Sequence, residues 1–508
     1  MSVVFRNGRT MKGEPLAFAV EHGRFIEVAH EIDVPYARDL KGATVLPGFI
    51  DAHCHVMPTG FDLAKLHLGK HATKQDVLDA VRDRLSSVRP GQWLHAVHYD
   101  QTRFDDNAHL HRAQLDAVSS DVPILLRHVN GHASVCNSAA LIAANVSEET
   151  QDPKGGTYVR DSGGLLTGVL LERAHEHVSD CSPPPSYAER VEAALGAASV
   201  MARQGVTCAS DMMTGYSDLE EELAAYWEAS LKGAKVRFRL YLQWSPVFGP
   251  SALAEERRRE LTGAMDPELC KVAGAKIFAD GAIGAGTAAI HGEYTTGGNG
   301  KLIYEPARLT EMVRTAHAAG WPVAVHSIGD RSTDHVLDAF EATDEPSRHR
   351  LEHAIIASDA QIARIARLGC HVTMQPEFLL RIGHAYRRQL SPDVSPKLKR
   401  ARSFLDGGIR LSFNSDRPVV PGDPWDGILT AANRPKGFDQ SENVTVEEGL
   451  RAYTLGGADA NGDVGLMGEI KEGQLADFQL YNSGVQTREG PKPDEVFVGG
   501  EPTYRKGS

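Results

Sequence analysis

The chain has 508 residues, is 42% hydrophobic and carries a formal net charge of −13, a size that accommodates one large α/β barrel plus a smaller domain with a sizeable buried core. The acidic balance and the lack of any basic run oppose nucleic acid as a partner. The start, Met1-Ser2-Val3-Val4-Phe5-Arg6-Asn7-Gly8, shows no basic segment followed by an apolar one, and no later stretch is apolar for long enough to span a bilayer, so a cytoplasmic protein with no membrane partner is expected.

In chain order, residues 3–5, 16–20 and 24–28 read as short strands broken by Gly8 and Gly23. An apolar strand follows over 45–51, and the next that fits a parallel sheet lies at 205–211, about 150 residues on. That interval is far longer than a crossover needs and predicts an inserted subdomain over about 60–187, with helices at 74–87 and 111–118 and its exit at Pro183-Pro184-Pro185. Further strands are expected at 236–243, 272–278, 322–326, 349–353, 370–374 and 409–415, with helices such as 307–319 and 358–368 between them. Together with 45–51 and 205–211 these make the eight strands that close a (β/α)₈ barrel over 45–465. The last forty residues, with Val496-Phe497-Val498, read as β-structure again, which predicts a second domain from 1–44 plus 466–508. The six cysteines, Cys54, Cys136, Cys181, Cys208, Cys270 and Cys370, contain no C-x-x-C pair and suggest neither a disulfide framework nor a thiolate zinc site.

The chemistry concentrates at strand ends. In Pro47-Gly48-Phe49-Ile50-Asp51-Ala52-His53-Cys54-His55 the two histidines stand two apart, so on a strand both point to one side and can offer two imidazoles to one ion. His326 ends Val323-Ala324-Val325-His326, and His353 ends Arg350-Leu351-Glu352-His353. In a TIM barrel such positions converge on the C-terminal face, where active sites lie. Each histidine alone reads best as a satisfied core residue; four on one barrel are hard to explain without a metal. Leu411-Ser412-Phe413-Asn414-Ser415-Asp416 closes with a carboxylate that can ligate metal and accept a proton, or else serve as a turn residue before Pro418. Lys276 interrupts a small, apolar strand, where a buried ammonium is costly. It is either ion-paired with Asp280 or a neighbouring carboxylate, or a deprotonated amine that has taken up CO₂ to give a carbamate bridging two cations.

This order of motifs resembles the amidohydrolase superfamily. The wording of Lys276-Ile277-Phe278-Ala279-Asp280-Gly281-Ala282-Ile283-Gly284, His326-Ser327-Ile328-Gly329-Asp330-Arg331 and Ser415-Asp416 is similar to its amidohydrolase 3 or YtcJ-like branch, which includes N-substituted formamide deformylases. Asn130-Gly131-His132 through Asn137-Ser138, Thr167-Gly168 and Gly473-Gln474-Leu475-Ala476-Asp477 extend the resemblance over nearly the whole chain.

The resemblance implies a distorted (β/α)₈ barrel with a small β-sandwich built from both termini, and one or two divalent metal ions, zinc first. Carried over by position, His53, His55 and Asp416 hold the first ion, His326 and His353 the second, and N6-carboxylated Lys276 bridges them. The implied reaction is hydrolysis of a C–N bond, an amide, formamide or cyclic amide, in a small-molecule substrate, with Asp416 as proton shuttle. His132 is the candidate donor to the developing oxyanion, and Gln375 and Tyr99 are candidates for the pocket wall. With one metal only, His53, His55, His326 and Asp416 would hold it and His353 would be free for acid-base work.

Other readings stay open on sequence: ester or lactone hydrolysis, deamination of a heterocycle, isomerisation, or a non-catalytic binding or regulatory protein on the same scaffold. A homodimer is a common assembly for such a chain. The run Thr295-Thr296-Gly297-Gly298-Asn299-Gly300 lacks the lysine and hydroxyl spacing of a phosphate-binding loop and calls for no nucleotide.

Overall fold

The computed structural model describes residues 2–129, 133–485 and 490–507. These fall into two compact units, one running up to Gly60 and again from Arg190 onward, the other spanning Phe61–Glu189. Among the described residues no helix is long and apolar enough to cross a membrane.

The first unit holds a sheet of eight parallel strands: β1 Phe49–Cys54, β2 Val206–Thr214, β3 Arg237–Gln243, β4 Cys270–Phe278, β5 Val323–Ser327, β6 Arg350–His353, β7 His371–Met374 and β8 Leu411–Phe413. Their neighbours follow chain order, and helices such as Pro306–Ala318 and Asp359–Leu368 fall between them, which is the distorted (β/α)₈ barrel expected from the apolar strand-like runs. Helix Asp359–Leu368 shows how locally the ends are written. Ser358 and Gln361 form a capping box, and Gly369 takes the left-handed conformation (φ 65°) that stops it.

The sheet does not close by a regular ladder between β8 and β1. Just past β8 the Asp416 N–H donates to His53 O at 2.8 Å, and the His55 N–H donates back to Arg417 O at 2.9 Å. The Ser415 N–H and hydroxyl also donate to the Asp51 carboxylate at 3.0 and 2.5 Å.

One expected strand is in fact two. Thr44–Pro47 pairs antiparallel with Phe478–Tyr481 in the sheet made by the chain ends, whereas Phe49–Cys54 pairs with β2. Between them a Cβ on Gly48 would lie 2.1 Å from Thr207 Oγ1, so only glycine fits where the chain passes from one sheet to the other. The sheet formed by the chain ends therefore takes in residues past 44. Its strands order as Glu501–Arg505, Glu495–Val498, Phe478–Tyr481, Thr44–Pro47, Val3–Arg9, Pro15–Glu21 and Arg24–Ala29. Phe5 and Phe497 belong to strands three ladders apart, roughly 14 Å in a flat sheet, yet their ring centroids are 5.9 Å apart. The sheet thus curls over a shared core that also contains Phe18, Phe25 and Phe478.

In the second unit a six-stranded sheet, ordered Gly156–Arg160, Leu166–Glu172, Ala133–Cys136, Ile124–His128, Leu94–Tyr99 and Leu66–His67, packs with helix Lys74–Leu85. The helix expected at 111–118 is the short Arg112–Asp116.

Candidate metal centre

β1 is buried along its whole length, and its alternation places Asp51 and His53 on one side with His55 following. Asp51 is spent on Ser415. His53 Nε2 and His55 Nε2 lie 3.3 and 2.9 Å from one atom, Asp416 Oδ1. Among the described residues, His53, His55 and Asp416 are the group of His, Cys, Asp or Glu side chains whose ligand atoms converge, all within 4.8 Å of one another.

The opposite face of His53 explains what that convergence means. Its Nδ1 lies 2.5 Å from Glu352 Oε2, and a carboxylate only accepts, so Nδ1 carries the proton and Nε2 presents a lone pair. That lone pair points at a carboxylate oxygen. Both His53 Nε2 and Asp416 Oδ1 are buried and without a hydrogen-bond partner, as is His55 Nδ1. Two acceptors facing one another in a dry site are repulsive until a cation sits between them. The donor set therefore fits a divalent ion.

Glu352 is itself fully buried and accepts from Arg350 Nε at 2.5 Å and Thr373 Oγ1 at 2.5 Å. Burial acts to raise its pKa, but the Arg350 guanidinium and His53 hold it well below the usual carboxylate range. Arg350 goes on to Tyr241 Oη (2.9 Å) and Ala52 O (2.6 Å). Burial likewise opposes ionisation of Asp416, and the histidines around it, with His55 Nε2 at 2.9 Å, act the other way and hold this carboxyl well below its ordinary range.

The other strand ends reach the same place. The ring centroids of His53 and His353 are 4.7 Å apart, and those of His326 and His353 are 4.4 Å apart. His326 Nε2 lies 3.0 Å from Gly281 O, so this nitrogen carries the proton and Nδ1 keeps its lone pair. Burial and the Lys276 charge push His326 down to about 3. His353 Nδ1 lies 3.0 Å from Gln375 Oε1, and its Nε2 is buried without a partner. His353 (φ 73°), Ala354 (φ 40°) and Asp416 (φ 55°) all hold left-handed backbone, a strain that clusters at functional sites.

Lys276 is buried, its Nζ 4.9 Å from the Phe278 ring centroid and without a hydrogen-bond partner among the described residues. The ion pair with Asp280 allowed by the sequence is not made. Both Asp280 oxygens are taken, by Ile328 N–H (3.0 Å), Gly329 N–H (2.9 Å), Ala289 N–H (3.0 Å) and the Ser332 hydroxyl (2.7 Å). Burial pushes the Lys276 amine down to about 8, against the pull of Glu352 and Asp416.

Of the remaining candidates, Gln375 is buried beside His353 and donates from Nε2 to Asn414 Oδ1 at 2.7 Å. Tyr99 is a core residue of the Phe61–Glu189 unit, its hydroxyl oxygen accepting from the Leu110 N–H at 2.8 Å. His132, with Asn130 and Gly131, lies outside the described residues. Sequence reading missed two residues, Glu352 and Lys399. Glu352 carried no local signal, because the imidazole it supports stands 299 residues away. Lys399 Nζ donates to Gln375 Oε1 at 2.8 Å from a loop that carries no periodic pattern.

A sequence profile described as the amidohydrolase family matches residues 37–504. The chain belongs to the amidohydrolase family. This amidohydrolase is 32% identical over 455 residues to the amidohydrolase YtcJ of Bacillus subtilis, covering 87% of this chain and 84% of that protein. It is 30% identical over 492 residues to the N-substituted formamide deformylase of Arthrobacter pascens, covering 92% and 90%. Its fold is shared with a metal-dependent hydrolase from Pyrococcus furiosus, at TM-score 0.80 and 24% identity over 96% of this chain and 100% of the other.

Proposed function

We propose that this amidohydrolase hydrolyses a C–N bond, an amide, formamide or cyclic amide, in a small molecule with the help of one or two divalent cations, zinc first. The observation that carries the reading is the pair of facing buried acceptors, His53 Nε2 and Asp416 Oδ1, with His55 beside them. The formamide deformylase similarity, over 92% of the chain, supports the bond type.

A divalent ion bound here polarises a carbonyl and lowers the pKa of water towards neutrality. His53, His55 and Asp416 would hold the first ion, and His326 and His353 the second. Lys276 suits a bridge because its amine, pushed to about 8 and unpaired, is partly neutral near pH 7. Attack of the neutral nitrogen on CO₂ would form a C–N bond as one C=O π pair moves onto oxygen, the nitrogen would give up a proton to water, and the carbamate would offer two oxygens that share one negative charge.

In the reaction Asp416, ionised at working pH, accepts the proton of the attacking water. It returns that proton to the leaving nitrogen as the C–N bond of the tetrahedral intermediate breaks. Glu352 holds His53 in the tautomer that presents Nε2, and the Arg350 guanidinium compensates the Glu352 charge. Zinc in mixed histidine and carboxylate ligation is first choice, although geometry and supply decide occupancy.

The test is metal analysis of purified protein, followed by a panel of N-formyl, N-acyl, carbamoyl and cyclic amide compounds with amine, acid and ammonia measured separately. Stoichiometric metal and metal-dependent release of an amine with its acid are expected. Turnover that survives complete metal removal, or release of product from esters and lactones alone, removes the reading.

A further inference from the structure

Behind His353 stand two amides back to back. Gln375 Oε1 lies 3.0 Å from His353 Nδ1, and Gln375 Nε2 donates to Asn414 Oδ1 at 2.7 Å. Gln375 and Asn414 are fully buried, and Asn414 Nδ2 has no hydrogen-bond partner among the described residues. Taken by themselves, these two amides can flip together. Gln375 would then present Nε2 to His353 and Oε1 to Asn414, which would answer with its idle Nδ2, and no hydrogen bond between the amides would be lost. The imidazole would follow. With an N–H donor facing Nδ1, the ring proton moves to Nε2, the nitrogen that is otherwise free for a metal.

One group breaks this symmetry. Lys399 Nζ lies 2.8 Å from Gln375 Oε1, against the face of Phe378 with 4.9 Å to the ring centroid, and among the described residues no carboxylate is ion-paired with it. Burial pushes this amine well below the usual lysine range, yet it donates to Gln375 Oε1, and whenever it is protonated it has donors only and so holds that one orientation of the amide. The placement of Lys399 is over-determined. It is 1% exposed and holds φ 51°, its N–H donates to Ile355 O at 2.8 Å, and its carbonyl accepts from Arg434 Nη1 at 2.8 Å. A non-glycine residue kept in left-handed backbone, clamped at both backbone polar groups and aimed at an amide oxygen, is a costly arrangement for mere packing.

We infer that Lys399 is a positioning residue that fixes the polarity of Gln375, and through it the tautomer of His353 that leaves Nε2 free for a metal ion. The inference rests on the reading of His353 as a ligand of the second ion. It gives the two ions different supports. His53 is backed by a carboxylate, Glu352, and His353 by a neutral amide whose direction the Lys399 amine sets.

The experiment is titration of metal-free protein with zinc, following the affinity of the second ion by competition with a chelating dye. Lys399→Met keeps the unbranched stem to within one atom and removes the donor; it is expected to weaken the second ion by about 10- to 100-fold, the usual cost of losing such an outer partner, while the first ion binds as before. In a Gln375→Glu background the group behind His353 has acceptors only and cannot be reversed, so adding Lys399→Met there should leave the second ion's affinity within about threefold of Gln375→Glu alone, well short of that 10- to 100-fold loss. Should Lys399→Met fail to fold, Lys399→Gln makes the same test, because its amide accepts as well as donates and so removes the polarity without removing the hydrogen bond.

Second-ion affinity unchanged in Lys399→Met, or lost equally in both backgrounds, overturns the inference and leaves the metal centre standing. Wild-type protein that takes up no second ion overturns the inference together with the two-ion form of the proposed function, and leaves the one-ion form standing.

Discussion

In the proposed mechanism Asp416 is the residue on which ligation and proton transfer meet. Asp416→Asn keeps the size of the side chain but cannot take a proton, so kcat should fall by roughly 10²- to 10⁴-fold in a protein that still folds and retains much of its metal. Steady-state rates with metal analysis on the same sample check this, and near-normal turnover removes Asp416 from the mechanism. Lys276 carries a pH signature. Its amine ionises at about 8 in the fold against an ordinary 10.5, so the neutral form that takes up CO₂ grows as pH rises through 8. Reactivation of metal-free protein by zinc at a fixed concentration of dissolved CO₂ should therefore quicken from pH 7 to 9 and then level off. Linkage has the same sign: between pH 8 and 10.5 the unfolded lysine holds a proton that the folded one has lost, so stability of the metal-free protein gains over that window. Lys276→Arg should abolish both effects, because guanidinium stays protonated. The histidines and Asp416 were legible in the sequence because strand alternation and strand ends announce them. Glu352 was not, since its partner His53 is 299 residues away, and nothing local marks a glutamate as the support of a distant imidazole.

At the scale of elements, Asp280 ties the end of β4 to the turn that leads from β5 into helix Asp330–Glu341, through Ile328, Gly329, Ala289 and Ser332. Four donors converge there on two oxygens. Asp280→Asn supplies one oxygen and one NH₂ group, so at least one buried N–H loses its acceptor, at a cost of about 1–3 kcal/mol. A lowered urea midpoint with unchanged m-value is the expected result, together with weaker metal uptake because His326 stands at the end of the displaced strand. An unchanged midpoint would show that the turn holds without this cradle. The barrel strands were readable as apolar runs between helical stretches, yet the break inside 45–51 was not. Thr44–Pro47 and Phe49–Cys54 run on from one another as a single apolar stretch up to Ile50, and which sheet receives each is decided by Thr207 against Gly48 and by pairing with a strand more than 400 residues later. Short apolar runs do not name their partners.

For the molecule as a whole, the first unit is stitched by buried ion pairs between the start of the barrel strands and the C-terminal segment. Arg237 grips Asp477 with two bonds, 2.8 and 2.9 Å, and Arg239 pairs with Asp463 at 2.6 Å. Removing one partner strands a buried guanidinium, so Asp477→Ala should cost about 3–5 kcal/mol and lower the barrel's thermal midpoint, although no ligand of the metal centre is touched. A midpoint within a degree of wild type would show that the terminal sheet and barrel do not share their stability. The same long-range stitching closes the barrel itself, where Asp416 N–H meets His53 O and His55 N–H meets Arg417 O. During synthesis, then, a ribosome that has released His53 and His55 has made no metal centre. The third ligand arrives more than 350 residues later, and the two backbone bonds that seal the ring are the ones that set it in place. A chain cut short before residue 416 lacks both the seal and the carboxylate, so metal uptake by nascent or truncated chains becomes a measure of whether the barrel has been completed.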